Sequence, residues 1–117
     1  MKYTILIYES PADFAALRDP IQGEEIMTGV MRYLQALKDA GVFVDGAGLQ
    51  PPDTATTLRL RDGQHLVQDG PFADIKEQLG GFFIIDAPDL DAALEWAARF
   101  PQRPGQAIEV RPNMQHD

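Results

Sequence analysis

The stretch Tyr3-Thr4-Ile5-Leu6-Ile7-Tyr8 is the strongest constraint in this chain, because it is apolar or aromatic on both sides of a two-residue alternation. A strand with one face in water alternates apolar and polar residues. One without that alternation sits centrally in a sheet and is covered on each side. The chain's own cover is limited. Ile26, Met27, Val30, Met31, Leu34 and Leu37 recur at helical spacing with Glu25, Arg32, Gln35 and Asp39 opposite them, and Leu90, Ala93, Leu94 and Ala97 form a second stripe. Two amphipathic helices cover one face of a sheet and leave the other bare. A second copy packed sheet against sheet would remove the exposed apolar patch, so a homodimer is expected.

Punctuation residues order the remaining elements. Pro11, Pro20 and Gly23 mark residues 11–23 as irregular. The first helix runs from Glu24 and stops at Gly41, which accepts the left-handed conformation that ends helices. Val42-Phe43-Val44 reads as a short strand, followed by a loop through Asp45-Gly46-Ala47-Gly48 and Pro51-Pro52. Thr56 to Arg61 and His65 to Gln68 flank Asp62-Gly63, a hairpin signal because both turn positions need positive φ. Gly80-Gly81 opens the apolar strand Phe82 to Ile85, and Asp89 caps the second helix. Ala107 to Val110 is the last strand, with Ile108 and Val110 inward, and residues 112–117 read as a frayed tail. With the hairpin set aside the order is βαββαβ, the ferredoxin-like arrangement of an α+β domain. A length of 117 residues suits one domain.

Asp69-Gly70-Pro71-Phe72, followed by Lys76-Glu77-Gln78-Leu79-Gly80-Gly81-Phe82, resembles the signature of the DGPF-domain proteins, a branch of the YCII-related family. The likeness extends to Met1-Lys2-Tyr3 with Ile5 to Tyr8, to Gly46-Ala47-Gly48-Leu49 with Pro51, and to Glu109-Val110-Arg111-Pro112, so that residues 1–117 would form a single such domain. The resemblance implies a ferredoxin-like fold and a dimer of the α+β barrel kind. It also implies a pocket in which a histidine meets the aspartate of the DG-P motif, and one branch resembles dehydrochlorinases of hydroxylated aromatics. That histidine falls at Val30 here and is absent, whereas the aspartate is retained as Asp69. DGPF proteins tend to be encoded beside, or fused to, sigma factors of the extracytoplasmic-function type, which implies a regulatory partner of that class.

Asp69 is the candidate catalytic residue. Walled from water by Phe72, its carboxylate would serve as acid or base; as part of an Asp-Gly-Pro turn, it would instead accept backbone N–H bonds. Tyr8, Met31, Asp45, Phe72 and Arg111 are the candidate ligand-binding residues, although Met27 and Met31 also suit simple core packing. His65, on the hairpin, and His116, in the tail, have no metal-ligand spacing, so no metal is expected. Gly46-Ala47-Gly48 lacks the spacing of a dinucleotide loop, no Gly-x-Ser-x-Gly elbow occurs, and no cofactor is expected. Two readings follow. The first is a small-molecule-binding or regulatory module, favoured by the missing histidine. The second is a cofactor-independent enzyme in which Asp69 moves a proton while Arg111 or Tyr8 orients a hydroxylated or anionic substrate.

The chain has no cysteine, which leaves the redox compartment undetermined. Its short N-terminal apolar run meets Glu9 and Pro11, unlike a secretory leader, and no apolar run approaches a membrane span, so a cytoplasmic location is expected. Ten basic residues against eighteen acidic ones give a net charge of −8. Arg99, Arg103 and Arg111 gather near the C-terminus, where a local basic patch stays open but solvated surface arginines explain them at least as well. Phosphate backbones and anionic membranes attract basic surfaces, so neither is an expected partner. Fluorescence anisotropy with labelled DNA and RNA should find no binding tighter than about micromolar at physiological salt; salt-sensitive binding below that range would contradict this.

Overall fold

The computed structural model describes residues 1–73 and 75–115. Its elements are β1 (Lys2–Glu9), α1 (Pro11–Arg18), α2 (Pro20–Asp39), β2 (Phe43–Gly48), β3 (Thr56–Arg61), β4 (Gln64–Asp69), β5 (Gln78–Asp86), α3 (Leu90–Ala98) and β6 (Ala107–Pro112). Four strands form an antiparallel sheet in the order β2-β5-β1-β6, with β1 central as its two apolar faces require. This is the ferredoxin-like α+β arrangement, with β3 and β4 paired separately as an arm. Asp62 and Gly63 turn that arm with φ of 52° and 76°, as a two-residue hairpin turn demands.

Segment 11–23 is not irregular. Ser10 caps α1, its hydroxyl accepting from the Asp13 amide while the Asp13 side chain accepts from the Ser10 amide, and Pro11 occupies the first helical position. Asp19 repeats the device for α2, accepting from the amides of Ile21 and Gln22 ahead of Pro20's turn. The prolines that suggested breaks are helix starts. The expected loop Asp45 to Gly48 is likewise strand, because β5 supplies a partner for it. The C-terminal segment is tied further than expected: Pro112 pairs with Tyr3, and the Asn113 amide donates to the Lys2 carbonyl.

Odd-numbered β1 residues Tyr3, Ile5 and Ile7 point to the helices and join Phe83, Ile85, Tyr33, Leu37, Ala93 and Ala97 in one core. Tyr33 meets Phe83 and Phe100 edge-on at 5.3 Å each, and its hydroxyl donates to the Trp96 carbonyl, locking α2 to α3. The even residues Leu6 and Tyr8, with Phe82 and Ile84 beside them, form the opposite face and are only half-buried. The molecule is 19 Å thick along its thinnest axis, room for one sheet and one helix layer but no third. None of the helices among the described residues is long and apolar enough to cross a membrane.

Leu37 is fully buried in this core, so Leu37→Ala should cost about 2–5 kcal/mol in urea unfolding. Ile21→Ala, at an exposed position on the same helix, should stay within about 0.5 kcal/mol.

Candidate functional site

A cleft of about 510 Å³ opens between α2 and the sheet, and it exists because the sheet floor lacks side chains there. Gly46 lies opposite Phe83 and Gly48 opposite Gly81, all on the helix-facing side. Between Ile7 and Tyr8 the register slips, leaving Gly80 as the extra residue of a bulge in β5. A Cβ on Gly46 would stand 2.9 Å from the Phe82 carbonyl oxygen, and one on Gly81 would stand 2.9 Å from that of Ala47. Only glycine fits these positions. Ile26, Val30, Met31 and Leu34 of α2 supply the opposite, apolar wall.

The Gly80 end of the cleft is polar. Glu9 continues the inward alternation of Tyr3, Ile5 and Ile7 and is only 7% exposed. Its carboxylate occupies the space that a Gly80 side chain would need. Glu9 Oε1 accepts from Gln106 Nε2 at 2.8 Å and from Arg103 Nη2 at 3.1 Å. The Arg103 amide donates to Gln106 Oε1 at 2.7 Å, which holds the Gln106 amide group with its Nε2 toward Glu9. Arg103 also meets buried Asp13, donating to its carbonyl oxygen at 3.3 Å and lying 3.6 Å from its carboxylate. Arg103 is therefore not a solvated surface arginine but a part-buried cation between two buried carboxylates. Burial raises the Glu9 pKa above its ordinary 4.5, and the nearby Asp13 charge adds to that, against the lowering effects of the Gln106 bond and the Arg103 charge.

The residues singled out from sequence fall in three places. Met31 lines the cleft, as does Val30, where the family histidine would fall. Asp45 and Arg111 lie in one cross-strand row with Ile84 and Thr4 on the helix-free face, and Tyr8 shares that face. The Asp45 carboxylate accepts from the Gly46 amide, and Arg111 is exposed beside Glu109. Asp69 and Phe72 belong to the arm. Asp69 is exposed at the end of β4, and Phe72 does not wall it off: its ring is exposed under the Arg59 guanidinium, 4.8 Å away, because the arm projects from the core. His65 is exposed on β4, and His116 lies outside the described residues. Glu9, Asp13, Arg103 and Gln106 were missed. Glu9 alone carried a signal, as the next inward position after Ile7; its partners lie 94 and 97 residues away.

Because Glu9 holds its proton more tightly folded than unfolded, the native state binds more protons between 4.5 and the raised value, and stability falls as pH rises through that window. Glu9→Gln removes that titration. The unfolding free energy of wild type minus that of Glu9→Gln, from urea titrations between acid and neutral pH, should decline above about 4.5 and then level off. A flat difference, or one that rises, would show that desolvation does not dominate at Glu9.

Residues 1–115 match the YCII-related domain. An uncharacterised protein of Rhizobium meliloti (strain 1021) is 37% identical over 97 residues, which are 83% of this chain and 77% of that protein. With the match running through all six strands and all three helices described above, the chain belongs to the YCII-related family.

Proposed function

We propose that the chain is a small-molecule-binding module that works as a homodimer, with its ligand in the cleft between α2 and the glycine floor. The observation that carries this reading is the cleft itself, which is lined by apolar side chains and carries a buried carboxylate paired with a part-buried guanidinium at one end. Its volume falls in the usual range for small-molecule sites, about 300–1,000 Å³, and a few placed polar groups in an apolar lining are the usual means of orienting a ligand. The presence of Val30 in this wall supports the same location, since the family resemblance puts a pocket residue there.

The dimer is supported by two surfaces. One is the half-buried sheet face of Leu6, Tyr8, Phe82 and Ile84. The other is the arm, where Leu58, Leu60 and Val67 share one face at 60%, 70% and 67% exposure. A two-stranded hairpin with an uncovered apolar face is marginal by itself, and a second copy supplies the cover. The enzymatic alternative, with Asp69 as acid or base, has less support, since Asp69 is exposed on the arm and is not among the cleft-lining residues.

Light scattering should give twice the mass of one chain at micromolar concentration; a monomer at that concentration would remove the dimer. The uncharged probe 3-phenylpropan-1-ol should raise the melting temperature of wild type and of Asp69→Asn in a concentration-dependent way, by mass action. Met31→Trp, which fills the cleft mouth from a half-exposed position, should abolish the rise. A shift lost in Asp69→Asn and kept in Met31→Trp would overturn the cleft in favour of a site on the arm.

A further inference from the structure

The polar end of the cleft is not electrically neutral, and one of its acceptors is unused. Glu9 Oε1 takes both donors, from Arg103 and Gln106. Among the described residues, none donates to Oε2. No fully sealed side-chain nitrogen or oxygen among them lacks a partner, so Oε2 keeps solvent access; it lies over Gly80, and both residues line the cleft. Two carboxylates, Glu9 and Asp13, flank the Arg103 guanidinium, Glu9 at Nη2 and Asp13 at Nη1. The cluster therefore carries a net charge of −1 by count of Glu9, Asp13 and Arg103. To the cleft it presents an acceptor oxygen that has no donor among the described residues, beside a guanidinium already paired with two carboxylates.

Resting on the cleft reading above, we infer that the ligand is an organic amine, its ammonium bound to Glu9 Oε2 and its apolar body against Val30, Met31 and Leu34. A cation supplies the missing countercharge of a desolvated carboxylate and the missing donor in one group. A carboxylate ligand would meet that acceptor oxygen and the net negative charge of the cluster, and Arg103, although it also lines the cleft, is already paired with Glu9 and Asp13. The charge of the whole chain, −8, acts in the same direction by raising the local concentration of cations. The cleft is thus matched to a hydrophobic amine rather than to an anion.

Isothermal titration with three probes of one skeleton tests this: 3-phenylpropylamine, 3-phenylpropan-1-ol and 3-phenylpropionate. The amine should bind wild type about 10–100-fold more tightly than the alcohol, the range that a hydrogen bond to a charged group supplies, and the propionate should bind most weakly. In Glu9→Gln the amide oxygen stays with Arg103 and Gln106 and the amide nitrogen faces the cleft. The amine should lose its advantage there while the alcohol changes by less than about threefold, with circular dichroism confirming a folded variant. The wild-type series stands even if that variant does not fold. An amine no tighter than the alcohol, or a propionate equal to the amine, would overturn the inference and leave the cleft reading intact. So would an amine preference that survives in folded Glu9→Gln. Failure of all three probes to bind wild type would overturn both.

Discussion

The two-residue alternation of β1 divides the molecule. Its odd positions, Tyr3, Ile5, Ile7 and Glu9, all face the helices, so one strand supplies the centre of the core and the polar end of the cleft. Its even positions face the side without helices. Because side chains alternate with a period of two, a slip of one residue in pairing would move Glu9 to the open face and Tyr8 toward the helices. The bulge at Gly80 lies where the strand passes from core to cleft: Ile7 is still opposite Gly81, Tyr8 is opposite Leu79, and the skipped residue leaves room for a carboxylate. Core, cleft and open face therefore depend on the register of this one strand.

The cleft is costly to the fold, and that cost is an argument for its use. Protein interiors are close-packed, and glycine within a strand gives up about 0.5–1 kcal/mol relative to alanine through backbone entropy alone. Here four glycines line a space that larger residues on α2 do not fill. Glu9 and Arg103 add to the cost. Desolvating a buried ion pair often consumes the attraction it gains, and an apolar replacement of similar volume is frequently as stable. Gln106 and Asp13 hold that pair in one geometry, which an apolar replacement would not do. Together these features describe a preorganised polar end in an apolar cleft.

The arm and the open sheet face have the reverse character. They place apolar residues where the single chain covers them only in part, and the radius of gyration of 16.0 Å exceeds the about 13 Å of a compact chain this long. Leu58, Leu60 and Val67 on one side of the arm, and Leu6, Phe82 and Ile84 on the sheet, make little sense as solvent-facing surfaces. The proposed homodimer would give both of them cover.

Local chemistry was enough to read the strand Tyr3 to Tyr8, the helical stripe from Ile26 to Leu37, the turn at Asp62-Gly63 and the βαββαβ order from the sequence, because each rests on periodicity or on one dipeptide's φ preference. Ser10 with Asp13, and Asp19 with Pro20, were equally local, yet their prolines read as breaks when they are helix starts. The extent of β2 was not local, since Asp45 to Gly48 became strand only by pairing with β5. The candidate site was least legible. Met31 lies in the cleft, but Tyr8, Asp45 and Arg111 face the other side of the sheet, and Asp69 and Phe72 stand on the arm. The alternation of β1 determines that Glu9 points inward; only the tertiary fold decides that it meets Arg103 and Gln106 from the far end of the chain, since no periodicity spans 94 residues.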